Sequence, residues 1–216
     1  MDSELQNILE RILGLYRKYG IKSVTMDDAA AELGISKKTL YQYFSDKDDL
    51  VSKTIEYEAS KRIREFDEIQ DKNQDAIAEL LEVSHCLNLI IQEYSPVIEH
   101  DLKKYYPAHY NRIQELRRVN MYESVIRNIR KGKEEGIFRS DLNEEIISKI
   151  YVSRIMCMHE NPFFTTGELT SSRVFFEILF YHIRGIANDK GLQLLDQYLK
   201  QDTYKLNNNL SAAGMA

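Results

Sequence analysis

The sequence predicts an all-α protein: a three-helix head followed by a larger helical body. Three observations carry this. Apolar residues recur at steps of three and four nearly everywhere, and the alternation that marks strands is missing. Proline is scarce, occurring only as Pro96, Pro107 and Pro162. Helix length changes near residue 46, with three short segments before it and long ones after. A chain of 216 residues is long enough to bury a substantial core.

Each element has a local cause. Leu5, Ile8, Leu9, Ile12, Leu13, Tyr16 and Tyr19 form one apolar helical face, which Gly20 ends as a C-cap. Thr25 caps the next helix, to Leu33, and Asp28 three residues on completes a capping-box pattern. Gly34 stops it. Ser36 caps a third helix holding Lys37 to Phe44, and Ser45 a fourth, with Asp46, Asp48 and Asp49 against its positive dipole. The fourth is long, with Leu50, Val51, Ile55, Ala59, Ile63, Phe66 and Ile69 on its apolar side.

Further helices are expected at 74–93, 96–105, 108–134, 143–159, 171–187 and 189–203, with Pro96 and Pro107 in first turns. GIFRSDLN (136–143) reads as a connection, with Asp141 or Asn143 capping the helix at 143–159. ENPFFTTGELT (160–170) reads as a loop. The resulting division is 1–46 for the head, joined through helix 46–70 to a body at 47–206, with a disordered tail at 207–216.

Composition excludes several function classes. No apolar run approaches the roughly 20 residues that span a bilayer, and the N-terminus carries no export signal. Two isolated cysteines, Cys86 and Cys157, fit a reducing cytoplasm. The five histidines show no metal-ligand spacing, and neither a phosphate loop nor a nucleophile elbow is present. No cofactor, metal or catalytic residue is expected. The net charge of −5 argues against non-specific coating of nucleic acid, but leaves room for a small reading surface.

That surface is the helix pair 25–33 and 36–44. Gly34 supplies the left-handed backbone of a tight interhelical turn. Ala29, Ala30, Leu33, Ile35 and Leu40 hold the two helices together, and Leu40 and Phe44 face the core. Lys37, Lys38, Thr39, Tyr41, Gln42 and Tyr43 are left on the surface. Lysine can donate to guanine, glutamine can pair with adenine, and a threonine methyl can meet thymine's. Tyrosine hydroxyls and Lys47 can hold phosphates.

VTMDDAAAELGISKKTLYQYFSDKDDL (24–50) resembles the helix-turn-helix of the tetracycline-repressor (TetR) family of transcriptional regulators. Gly34, Ser36, Thr39, Leu40, Tyr41, Tyr43, Phe44, Lys47 and Leu50 all fall at that family's spacing. GIFRSDLN and RGIANDKGLQLLDQYL resemble segments of its C-terminal region. The resemblance implies a homodimeric, cytoplasmic, all-helical regulator that binds double-stranded operator DNA, usually a repressor released by a small-molecule effector. It places Lys37, Lys38, Thr39 and Gln42 at base-reading or neighbouring positions. Thr25, Tyr43 and Lys47 fall at phosphate contacts, with Tyr41 between packing and backbone contact. Asp27 and Asp28 stand where family members often carry a basic residue, and Ala29 replaces a larger aliphatic. The rival classes are a protein–protein adaptor and a helical enzyme lacking any recognisable motif.

Residues 1–50 hold seven Lys or Arg against nine Asp or Glu. Few ionic phosphate contacts per subunit are therefore expected, and affinity should depend on dimerisation. In the body, His85, Asn88 and Gln92 share one helical face, and Tyr110, Gln114, Arg117 and Met121 another; both are candidate effector contacts. The stretch Arg173–Ile186 is apolar around most of its circumference, as is Ile146–Met158. These two are the expected dimer helices, through Ile150, Arg154, Phe175, Phe176, Leu179 and Ile183.

Overall fold

The computed structural model describes residues 3–72, 74–92, 95–156, 163–169 and 171–200. The expected tail 207–216, Cys157, Pro162 and the C-terminal ends of helices 143–159 and 189–203 lie outside them. The described elements are helical: α1 (Ser3–Tyr19), α2 (Met26–Leu33), α3 (Lys37–Tyr43), α4 (Lys47–Gln70), α5 (Ala76–Gln92), α6 (Pro96–Tyr105), α7 (Pro107–Glu134), α8 (Glu144–Met156), α9 (Thr166–Leu169), α10 (Ser172–Ile186) and α11 (Asp189–Lys200). The short α9 falls inside the segment expected to be a loop.

The chain forms two compact units, one of residues 1–65 and 95–117, the other of 66–94 and 118–216. This redraws the boundary expected near residue 46. Most of α4, all of α6 and the start of α7 fold with the head, because α4 supplies apolar residues that the head's three short helices need for a core.

The first unit closes around Leu9, Ile12, Tyr16, Ile21, Leu40, Phe44, Leu50 and Val51, all nearly inaccessible to solvent, with Leu102 of α6 and Ile113 of α7 in the same cluster. Its caps largely match the sequence expectation. Gly20 and Gly34 take φ of 81° and 69°. Thr25 and Asp28 form a reciprocal capping box, and the Ser36 hydroxyl accepts from Thr39 N–H. The fourth cap differs. Asp46, not Ser45, accepts from Asp49 N–H at 2.8 Å, while Ser45 N–H donates to the Asp49 carboxylate at 2.9 Å. A carboxylate competes well with a hydroxyl at a helix N-terminus, and α4 accordingly begins one residue later than expected.

The second unit packs α5, α7, α8, α10 and α11 around Ile77, Ile129, Phe138, Leu179, Ile183 and Leu195. The 136–143 connection is pinned rather than loose. Arg139 N–H donates to Ile186 C=O at 2.9 Å, and Asn188 N–H to Ile137 C=O at 3.1 Å. Asn143 is the residue that caps α8, accepting from Ile146 N–H at 3.0 Å. Phe138 lies so close over α7 that a Cβ at Gly132 would come within 2.1 Å of its ring, which explains a glycine inside a long helix. Among the described residues, no helix is long and apolar enough to cross a membrane.

Candidate nucleic-acid interface

The reading surface is built from α3 outward. The Ser36 cap fixes where the helix starts, and fully buried Leu40 with Phe44 fixes how it is rotated. This leaves Lys37, Lys38, Tyr41 and Gln42 exposed on one short helix, with Thr39 half-buried and its hydroxyl 2.8 Å from that of Ser36.

Not all of these groups are free. The Lys37 ammonium lies 2.9 Å from the Asp27 carboxylate, and this hydrogen-bonded pair holds its pKa above the usual lysine value. Asp27, a departure in the sequence, thus neutralises a candidate base reader. Tyr43 donates its hydroxyl to Glu4 of α1 at 2.9 Å. Lys47 is half-buried and donates to the carbonyl of Lys22 at 2.9 Å; desolvation lowers its pKa. Thr25 spends its hydroxyl and N–H on the Asp28 carboxylate, whose pKa those bonds lower. The expected phosphate contacts therefore hold internal partners in this structure. Of the expected base contacts, Lys38 and Gln42 are exposed, Lys37 is exposed but paired with Asp27, and Thr39 is half-buried.

We expect Asp27→Asn to tighten operator binding roughly two- to fivefold, the range of an exposed ion pair, with a steeper salt dependence. Weaker binding of the variant in a fluorescence-anisotropy titration would show that Asp27 positions Lys37 rather than competing for it.

Comparisons with known proteins match the same segment to a known domain. Residues 8–54 match the family model "Bacterial regulatory proteins, tetR family". Residues 8–54 thus carry a TetR-type helix-turn-helix domain. It is 28% identical over 193 residues to the HTH-type transcriptional regulator YvaF of Bacillus subtilis, covering 86% of this chain and 96% of that protein. Its fold is similar to that of a transcriptional regulator from Cytophaga hutchinsonii, with a TM-score of 0.73 at 19% identity, covering 87% and 100% of the two chains. It also resembles the SmeT–triclosan complex, with a TM-score of 0.61 at 14% identity, covering 84% and 90%. The matched proteins from Bacillus subtilis and Cytophaga hutchinsonii are transcriptional regulators.

Elsewhere in the chain the structure redistributes the expected residues. Tyr110, Gln114 and Arg117 belong to the first unit, whereas His85, Asn88 and Met121 belong to the second. His85 is exposed, Met121 is half-buried against the core, and Asn88 is buried with no partner for its side-chain oxygen among the described residues. Gln92 ends α5, and its side chain lies outside the described residues.

Four of the six expected dimer contacts are interior. Phe175, Phe176, Leu179 and Ile183 sit at 4%, 6%, 1% and 0% exposure within the second unit's own core, so they have no surface to offer a partner. Ile150 (59% exposed) and Arg154 stay outside, joined by Ile146 and by Tyr181 (71% exposed). The Arg154 guanidinium lies 5.2 Å from the Tyr181 ring centre, which makes the outer faces of α8 and α10 one continuous surface.

Sequence reasoning passed over two further groups in the second unit. Ser148 Oγ and His182 Nε2 are buried and find no hydrogen-bond partner among the described residues. His182 stacks on Tyr151, with ring centres 3.9 Å apart. Burial, with help from Arg154, lowers the His182 pKa to about 4, and burial raises that of Tyr151 to about 12. The available signal for His182 was a histidine between apolar residues one turn either side, as in ILFYHIRGI.

Proposed function

We propose that this regulator is a homodimeric repressor. It reads its operator through Lys37, Lys38, Thr39, Tyr41 and Gln42, and a small apolar molecule bound in the second unit releases it. The observation that carries the reading is α3 itself: one short helix, rigidly capped and keyed to the core, turns a lysine pair, a tyrosine and a glutamine outward. Such a helix fits the major groove and can reach base edges. Thr25, Tyr43 and Lys47 surround it as phosphate anchors, which exchange their internal partners for DNA oxygens on binding. This activity belongs in the cytoplasm, with the DNA.

Support for the effector comes from the unsatisfied polar atoms of Asn88, Ser148 and His182 on α5, α8 and α10. Buried polar groups normally have partners. A ligand with a few polar groups on an apolar frame would supply them. SmeT, a protein of similar fold, has been solved in complex with triclosan, which supports a small-molecule effector. Release then requires that the ligand favour one of two arrangements of the heads. Homodimerisation is supported by the exposed apolar surface of Ile146, Ile150 and Tyr181.

The test is selection of duplexes from a randomised pool, followed by the same selection with Gln42→Ala. We expect changed preference at one or two positions, worth about 1–3 kcal/mol each. An identical preference profile for the variant would reject Gln42 as a reader.

A further inference from the structure

We propose that Lys22, Lys104 and Tyr105 form a second anchoring point for the phosphate backbone of duplex DNA, outside the helix-turn-helix. The proposal rests on the DNA-binding reading above and deepens it.

Two stretches far apart in the chain build the cluster. Asp101 of α6, only 7% exposed, accepts the backbone N–H of Lys22 at 2.8 Å. The fit is close: a Cβ at Gly20 would lie 2.9 Å from Val97 and 3.0 Å from the Asp101 carboxylate. This contact sets the C-terminal end of α6 beside the turn between α1 and α2. The Lys22 ammonium then donates to the Tyr105 hydroxyl at 2.9 Å and lies 4.6 Å from the ring centre, while the Lys104 ammonium lies 5.3 Å from the same centre. All three residues are exposed.

Their charge is not spent. In the same unit Lys37, Lys53, Lys61, Arg62 and Arg112 each pair with a carboxylate. Neither Lys22 nor Lys104 forms an ion pair among the described residues. Asp101 attracts Lys22 electrostatically, but its carboxylate oxygen is held by the backbone N–H. Two cations therefore share one aromatic ring with no anion between them. The Tyr105 oxygen accepts from Lys22, which leaves its O–H to donate. A phosphate oxygen satisfies this arrangement: it takes two ammonium charges and one hydroxyl hydrogen bond.

Location favours DNA over a free anion. Lys22 precedes the cap Thr25 by three residues, and its carbonyl holds the Lys47 ammonium. The cluster is thus continuous with both expected phosphate contacts at the starts of α2 and α4. α6 is formally neutral, with Glu99 and Asp101 against Lys103 and Lys104, but its two lysines are adjacent at its C-terminal end, where they add local positive charge.

The experiment measures affinity against salt for a duplex selected by the wild type. One form is trimmed to the protected core, and another carries a few extra base pairs on each side. Lys22→Ala with Lys104→Ala should flatten the salt slope on the longer duplex by about one unit per lost phosphate. Sequence preference should stay unchanged, because phosphate contacts carry no base information. Lys22→Ala keeps the backbone N–H that Asp101 holds, so the turn should persist. Tyr105→Phe should lose part of the effect, and Lys104→Arg should preserve the slope. An unchanged slope for the double variant overturns the anchoring point while leaving the regulator reading intact. An equal loss on the trimmed duplex contradicts its flanking position. A wild type that enriches no sequence overturns both readings. Loss of binding to anionic vesicles with an unchanged DNA slope would assign the cluster to a membrane and reject the proposal.

Discussion

Ile150→Glu combined with Tyr181→Glu should leave the second unit folded, separate the protomers and weaken operator binding by roughly two to four orders of magnitude. The magnitude comes from linkage, because a second head tethered to the first binds at high effective concentration and a separated one does not. Both side chains are mostly exposed, so charging them costs little in a lone subunit. At an isologous interface each substitution acts twice, and burial of the new carboxylates is costly. Phe176→Glu or Leu179→Glu would be a poor test, since both residues are interior and a charge there would unfold the unit. Sedimentation of wild type and variant at micromolar concentration, with circular dichroism to confirm folding, decides the matter. A variant that remains dimeric would place the interface elsewhere.

Lowering the pH from 7 to 5 should destabilise the second unit by about 2 kcal/mol through His182 alone, and by about 3 kcal/mol at pH 4. Its folded pKa of about 4 lies below the ordinary 6.5, so the unfolded chain binds the proton first. Stability from the neutral imidazole is complete above pH 6.5, falls between 6.5 and about 4, and changes no further below that. Carboxylates with lowered pKa, such as Asp141 and Glu144, titrate below their ordinary values of 3.8 and 4.5, so the window from 6.5 to 5 isolates the histidine. His182→Phe, which keeps an aromatic face for Tyr151, should flatten this part of the profile. Urea midpoints by circular dichroism at pH 7 and 5 provide the check. A variant with the same pH slope as the wild type would assign the protons to other groups. If an effector donates a hydrogen bond to His182, binding to the folded protein should hold until the pH nears 4, because the folded ring stays neutral down to that point.

The helix-turn-helix was legible because its determinants are local. A capping box joins residues three apart, as Thr25 and Asp28 are. A left-handed glycine acts within one turn, as at Gly34. Apolar spacing fixed which side of α3 faces inward, and hence which side chains are exposed. The same reasoning misjudged the apolar helix at 172–186. Phe175, Phe176, Leu179 and Ile183 share a face that could meet either its own core or a second subunit, and periodicity does not distinguish these environments.

Sequence alone was enough for the helix order apart from α9, for all but one of the caps discussed for the head, and for the outward set Lys37, Lys38, Tyr41 and Gln42. Each depends on contacts within about one helical turn. Only the tertiary structure decided which of those groups are already engaged. Asp27 holds Lys37 from ten residues away, and Lys22 holds Lys47 from twenty-five. It alone placed α6 in the head, through an Asp101–Lys22 bond spanning 79 residues. Such pairings arise from how whole helices pack, and a turn-length pattern carries no record of which distant charge a side chain will meet.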